Sequence, residues 1–375
     1  MKYLLFTFFL SVFIFPQIKG QYRTLNENKR ESLFLGLRNT NFFKNDEYYS
    51  PVIEGYTLVG YFFQPTLVYY PSEKVTIKAG VHFLDYAGTP GFSTLKPVFS
   101  TTYNFSGKTS LTLGTLNGSD KHLMFDPHFD LEKGYSAYNE DGLQFLSQND
   151  HLFNDTWINW EHFIFKGDTT REVFTFGESF KYKTGKIANL FNLEFPVQLQ
   201  ARHMGGQISN YPQEVETYIN LAAGPMIHFD ILEKRFGTVG VDYLRFIYKQ
   251  VPTEPMAIND GHADWYRFHY TYKIFYTMVG FWKSHNFYAP NGNGIYSSVS
   301  DYQADVIIPQ RKILTYSLYL TAYPANNLEL FFGFDVYYDL IRKRADNSLA
   351  LHLSFDKLIP LLKPINPEAR GRQLR

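Results

Sequence analysis

The segment Trp265–Ile274 alternates with a period of two. Tyr266, Phe268, Tyr270, Tyr272 and Ile274 fall in one phase, and Arg267, His269, Thr271 and Lys273 in the other. A strand points successive side chains to opposite faces, so this segment has one apolar face and one charged face. The same alternation returns in Val75–Phe83, Asn192–His203, Thr217–Ile231, Leu328–Val336 and Leu349–Asp356. No stretch of any length has the helical period of 3.6. The chain is therefore all-β. Its apolar faces either pack on a second sheet, as in a soluble sandwich, or meet lipid on the outside of a closed barrel.

Composition favours the barrel. Aromatic residues make up 18% of the chain, with 36 Phe and 29 Tyr but only 4 Trp. Barrels place such residues in girdles at the two membrane interfaces. The mean hydropathy of −0.26 is too polar for a helical membrane bundle, whereas a barrel needs only half of each strand to be apolar. Arg or Lys on the lipid face at mid-membrane costs about 2–4 kcal/mol, which turns the charged phase inward. The 36 Lys and Arg balance 36 Asp and Glu, so no excess charge points to a nucleic-acid partner. The absence of cysteine excludes disulfides, zinc–thiolate sites and a lipoprotein anchor.

The first residues read as an export signal. Lys2 supplies the positive start, Tyr3–Phe15 the apolar run, and Gly20 a small cleavage residue, leaving Gln21 first in the mature chain. The run is shorter than the ~20 residues of a spanning helix. Lipid admits only helices and closed barrels. The expectation is a signal peptide over 1–20 and, over 21–375, a single antiparallel transmembrane β-barrel of about 14–16 strands.

With its leader, its aromatic-rich alternating strands and its Asn/Gly/Asp-rich loops, the chain resembles porin-like outer-membrane β-barrel proteins of Gram-negative bacteria. The resemblance spans nearly the whole mature chain and is architectural, with no family motif. It implies the bacterial outer membrane as location, outer-membrane lipid and lipopolysaccharide as surroundings, small hydrophilic solutes as cargo, and a possible homo-oligomer. One departure concerns the end. Such barrels commonly finish on a terminal aromatic residue, whereas this chain runs past Phe355 to Gln373-Leu374-Arg375. Either the assembly signal lies around Leu349–Phe355, or the tail plugs the lumen.

Several residues are candidates for function. Asn117–Asp141 breaks the strand rhythm and holds two His, four Asp and two Glu. A loop of that length is usually functional. It lies either outside the cell or folded into the lumen. Within it His122, Asp126, His128 and Asp130 could hold a divalent cation, although their spacing matches no standard motif. Solvated loop polarity is the plainer reading. Glu161, Glu194, Gln198, Gln200, Arg202, Arg267, His269 and Lys273 fall on polar faces and line the lumen in a barrel, either filtering solutes or bracing the wall as ion pairs. Tyr135, Tyr138, Trp157, Trp265, Tyr288 and Tyr296 suit interface belts or, less readily, stacking on sugars.

A hydrolytic barrel is the third possibility. No Gly-x-Ser-x-Gly elbow occurs. Ser284 and His285 are adjacent and so point to opposite faces of a strand. No catalytic residue is assigned and no cofactor is expected. The leading expectation is a passive channel rather than an enzyme. The alternatives are a non-conducting barrel with a binding or assembly role and, behind it, a lipid or lipopolysaccharide hydrolase.

Overall fold

The computed structural model describes residues 29–362, apart from 213, 233, 253–257 and 304. The predicted leader, residues 1–20, and the basic tail Arg370–Arg375 lie outside the described residues. The strands run in order: β1 (Ser32–Glu47), β2 (Thr57–Tyr70), β3 (Val75–Tyr86), β4 (Thr94–Ser106), β5 (Thr109–Thr115), β6 (Asp141–Gln148), β7 (Leu152–His162) and β8 (Glu172–Lys183). There follow β9 (Phe191–Gly205), β10 (Glu216–Ala223), β11 (Met226–Asp230), β12 (Thr238–Pro252), β13 (Asp260–Tyr272), β14 (Phe275–His285), β15 (Gln310–Ala325), β16 (Leu328–Asp339) and β17 (Arg344–Leu362).

Every neighbouring pair is antiparallel, and β1 closes on β17 from Leu33↔Leu362 to Glu47↔Asn347. β10 and β11 share one place between β9 and β12. Pro225, which has no N–H to give to a ladder, sits at the break. The result is a closed barrel of 16 strands. β17 continues to Leu362, so the stretch after Phe355 is wall paired with β1 and not yet tail.

The alternation sorts the side chains as the lipid argument requires. On β13, Tyr266 and Phe268 are about half exposed on the outer face, while Trp265 and His269 are buried within. Both ends of the described chain lie at the end of the barrel that carries the short turns. Barrels of this kind put short turns in the periplasm and long loops outside the cell. The connections at the outer end include loop 48–56 and the two longest, loop 116–140 and loop 286–309.

All three fold into the barrel mouth. Val52 and Ile53 of the first loop join Phe287, Ile295 and Tyr296 of the third in one buried cluster with the inward wall residues Phe246, Trp265, Trp282 and Tyr337. Loops 116–140 and 286–309 are tied to each other. Asp130 N–H donates to Asn291 O at 2.8 Å, and Asn293 N–H to Asp126 O at 3.0 Å. A side chain at Gly292 would sit 2.1 Å from Pro127 O, so only glycine permits this approach. Trp157, Trp265, Tyr138 and Tyr296, which suit interface belts in the sequence, instead fill the interior. Their rings are in the inward phase or on infolded loops, where apolar area is removed from water.

Arg311, at 1% exposure, fastens the third loop to the wall. Its Nη1 donates to Ile295 O at 2.8 Å and to Ser297 O at 2.9 Å. Arg311→Ala leaves two buried carbonyls short of a donor, each worth about 1–3 kcal/mol. The expected result is a drop of at least ~2 kcal/mol in urea unfolding of the inserted protein. An unchanged unfolding midpoint would remove Arg311 as the fastening.

Candidate functional site

Beneath the infolded loops lies a cavity of about 780 Å³, reaching down to the short turns at 106–109 and 326–328. Its ceiling is built where β1 meets loop 116–140. The even residues of β1 face inward, which brings Lys44 and Asp46 to the top of the lumen. Lys44 Nζ is held by Asp46 and, at 2.8 Å, by Glu132. Glu132 precedes a single helical turn, Lys133–Ser136, and its other oxygen accepts from the Tyr56 hydroxyl. Tyr56 is half exposed at the outer rim, so this cluster connects the rim to the chamber.

Three residues after Glu132, Tyr135 reaches β17, the strand paired with β1. Its hydroxyl is 2.7 Å from His352 Nδ1 on β17, and His352 Nε2 is 3.0 Å from Glu329 on β16. The ring of His352 stacks on Phe331 at 4.7 Å, which fixes its plane. A carboxylate only accepts, so the neutral ring that suits this contact donates Nε2–H to Glu329 and turns the Nδ1 lone pair toward Tyr135. Burial raises the Tyr135 phenol above its ordinary range, so it keeps its proton and donates. The arrangement is a carboxylate, an imidazole with its basic nitrogen aimed at a hydroxyl, and a lysine-bearing ceiling, all on one chamber. It has the parts of a general base held in one tautomer.

The four candidate metal ligands of loop 116–140 do not converge. His122 is fully buried against β7, with its ring stacked on Trp157 at 3.6 Å. It donates to Glu140 at 2.5 Å and to Asp155 at 2.9 Å. Burial alone would lower its pKa, but the Glu140 and Asp155 charges raise it to about 10, so it is an imidazolium and not a ligand. His128 is buried edge-on to Phe246 with no hydrogen-bond partner, and burial lowers its pKa to about 3. Asp126 accepts from Asn293 Nδ2 at 3.0 Å, and burial together with the charge of Asp130 pushes its carboxyl up. Asp130 accepts from Glu132 N–H at 2.9 Å. Each of the four is used separately to fold the loop.

The eight residues read as lumen lining are dispersed. Glu161 and Arg202 form a pair at 2.8 Å, and Glu194 takes Lys181 at 3.2 Å and Lys183 at 3.1 Å. Gln198 accepts from Phe125 N–H at 3.0 Å and donates to Leu123 O at 3.0 Å, while Gln200 accepts from Asn291 at 3.3 Å. Both glutamines therefore hold infolded loops. Arg267 lies 2.8 Å from Asp242, which His269 also approaches at 3.4 Å. Lys273 sits exposed in the turn between β13 and β14 with φ of 52°, off the inner wall altogether. Its place in the alternating phase is continued by the turn and not by the strand.

The sequence reading missed two things. One is the infolding of loop 286–309, for which the signal was three large apolar residues, Phe287, Ile295 and Tyr296, in a loop rich in Asn and Gly. The other is the Tyr135–His352–Glu329 relay. Its members are 217 residues apart at the widest, and no local pattern marks them.

The closed antiparallel wall, the outward aromatic faces and the long loops at one end define an outer-membrane β-barrel of Gram-negative type. The chain belongs to the lipid A 3'-O-deacylase-type family, whose profile matches residues 25–364. That is a family of enzymes and overturns the expectation that the barrel is not one. A search of curated proteins finds no match. Among solved structures, a loop L8 deletion mutant of OmpT, an outer membrane protein of Vibrio cholerae, is similar with a TM-score of 0.52 at 10% identity, over 87% of this chain and 99% of that one. OprD of Pseudomonas aeruginosa gives 0.50 at 11% identity over 91% and 100%. OccK8 (OprE) of the same organism gives 0.50 at 11% identity over 89% and 100%. At such identity these likenesses concern the fold.

Proposed function

We propose that this protein hydrolyses an acyl ester of a lipid A-type glycolipid in the outer membrane. The observation that carries this reading is the family match, which runs the length of the barrel. The occupied mouth supports it, because a passive channel needs the space that loops 116–140 and 286–309 take up.

In this reading His352 is the base. Glu329 holds the proton on Nε2, and Nδ1 accepts a proton from water, directly or through the Tyr135 hydroxyl. The hydroxide attacks the acyl carbonyl carbon, the ester C–O bond breaks, and the proton returns to the departing sugar oxygen. The products are a free fatty acid and a glycolipid alcohol.

The test is mass spectrometry of lipid A after incubation with the folded mature protein. The expected result is loss of one ester-linked acyl or acyloxyacyl group. General-base catalysis contributes about 10²–10⁴-fold, and His352→Ala should lower the rate by that much, with a smaller loss in Glu329→Gln. Intact lipid A after prolonged incubation with correctly folded protein would end the hydrolase reading. Full activity in His352→Ala would move the base elsewhere.

A further inference from the structure

We propose that His228, Asp242 and His269 form a site for one divalent transition-metal ion of the Zn²⁺ class, on the inner wall near the periplasmic end. This site is separate from the chamber relay and does not rest on the hydrolase reading. Among the described residues these three offer a nitrogen, a carboxylate oxygen and a nitrogen that all lie within 4.8 Å of one another.

The register explains the convergence. His228 on β11 is opposite Gly240 on β12, and Gly240 is opposite His269 on β13. The two imidazoles therefore flank a residue without a side chain and lean over it, with ring centroids 5.3 Å apart. A Cβ at Gly240 would lie 2.0 Å from His269 Nε2. Asp242 is two residues along β12 and faces the same way.

The polar atoms of the cluster are ion-paired in part but make no aligned hydrogen bond. Asp242 is 2% exposed and His269 7% exposed. Both ring nitrogens of His269, both carboxylate oxygens of Asp242 and Nε2 of His228 have no hydrogen bond. Arg267 lies 2.8 Å and His269 3.4 Å from one Asp242 oxygen, but neither contact has hydrogen-bond alignment. Buried polar groups of native proteins are otherwise almost always satisfied. A shared cation satisfies all three residues at once.

Two imidazoles and one carboxylate suit Zn²⁺, Ni²⁺, Co²⁺ or Cu²⁺, and not Ca²⁺ or Mg²⁺, which take oxygen sets. Tetrahedral zinc with Zn–N near 2.0–2.1 Å spaces its donors by about 3.3 Å, so the side chains draw in by up to ~1.5 Å on binding. The guanidinium of Arg267 already lies over the rings of Trp265 and Phe125, 4.6 and 5.0 Å away, and these contacts hold it when the Asp242 carboxylate turns to the ion. The ion would join three strands where the ladder is weakest, because β11 is a five-residue segment following the break at Pro225.

Co²⁺ is the probe, added to the mature protein purified without a polyhistidine tag and freed of metal by chelator. The expected result is uptake of one Co²⁺ per chain with visible d–d absorption, displaced by Zn²⁺. His269→Ala and Asp242→Asn should each weaken uptake by roughly 100-fold or more. Gly240→Ala keeps every ligand but blocks the convergence, and should weaken uptake too. Heat-modifiable gel mobility reports folding, and should His269→Ala fail to fold, His228→Ala gives the same readout. Absence of Co²⁺ uptake by the folded wild type overturns the proposal, as does uptake that survives loss of both histidines.

Discussion

Planar bilayers that take up a chain of residues 21–375 are expected to show no stable conductance steps at neutral pH. The reason lies in the barrel mouth. Loop 286–309 contributes Phe287, Ile295 and Tyr296 to a cluster that also holds wall residues of β12, β13, β14 and β16. Loop 116–140 is bonded to it through Asp130–Asn291 and Asn293–Asp126. An ion crossing this region would shed its hydration against aromatic carbon, since the described residues of this cluster are apolar. The chamber below is lined by charge but closed above. Replacing residues 288–297 by a short Gly/Ser linker removes the centre of the plug while leaving every strand. Conductance steps should then appear and exceed the wild-type background at least tenfold. Stable wild-type steps as large as those of the replaced-loop variant would mean that the lumen is open and the plug reading is wrong.

Much of the wall was legible in the sequence, because lipid and water impose a period of two that is read residue by residue. Tyr266 and Phe268 point outward and His269 inward, as their phases require. The interior was much less legible. Trp265 shares the phase of Arg267 and His269, and only the infolded loops make that place apolar. Charge in a loop also proved ambiguous. His122, Asp126, His128 and Asp130 look like ligands in one dimension, yet Asp155, Phe246, Asn293 and the Glu132 backbone, met only in three dimensions, take each of them apart. The relay on His352 was hidden for the same reason, since Tyr135 arrives from a loop that must first fold into the barrel. Long-range contacts of this kind carry no local periodicity, so the site was less visible than the wall that holds it.

His122→Ala should cost the folded protein about 3–5 kcal/mol, the range for removing one partner of a buried ion pair. His122 is the only cation between Glu140 and Asp155 that the described contacts give, and both carboxylates are buried. Phe129 and Trp157 close its remaining sides, and Gln144 donates to Asp155 at 2.8 Å. Without the imidazolium two carboxylates face each other in a site with no water access, and loop 116–140 loses its tie to β7. The pH dependence follows from the raised pKa. The unfolded histidine titrates near 6.5 and the folded one near 10. A raised folded value means that the stabilisation is fully present below about 6.5 and is lost as pH climbs through 10. Lysines also titrate in the upper part of this window, so the useful quantity is the difference between wild type and variant. Urea unfolding of the inserted protein at several pH values should give a wild-type advantage that is largest at pH 6 and shrinks steadily toward pH 10. The Tyr135–His352 contact should loosen with it, since the same loop carries Tyr135, and the proposed lipid A hydrolysis should fall in the variant even at pH 6. A wild-type advantage that does not change with pH would show that His122 is held as a neutral ring, and that the loop is anchored by packing on Trp157 instead of by charge.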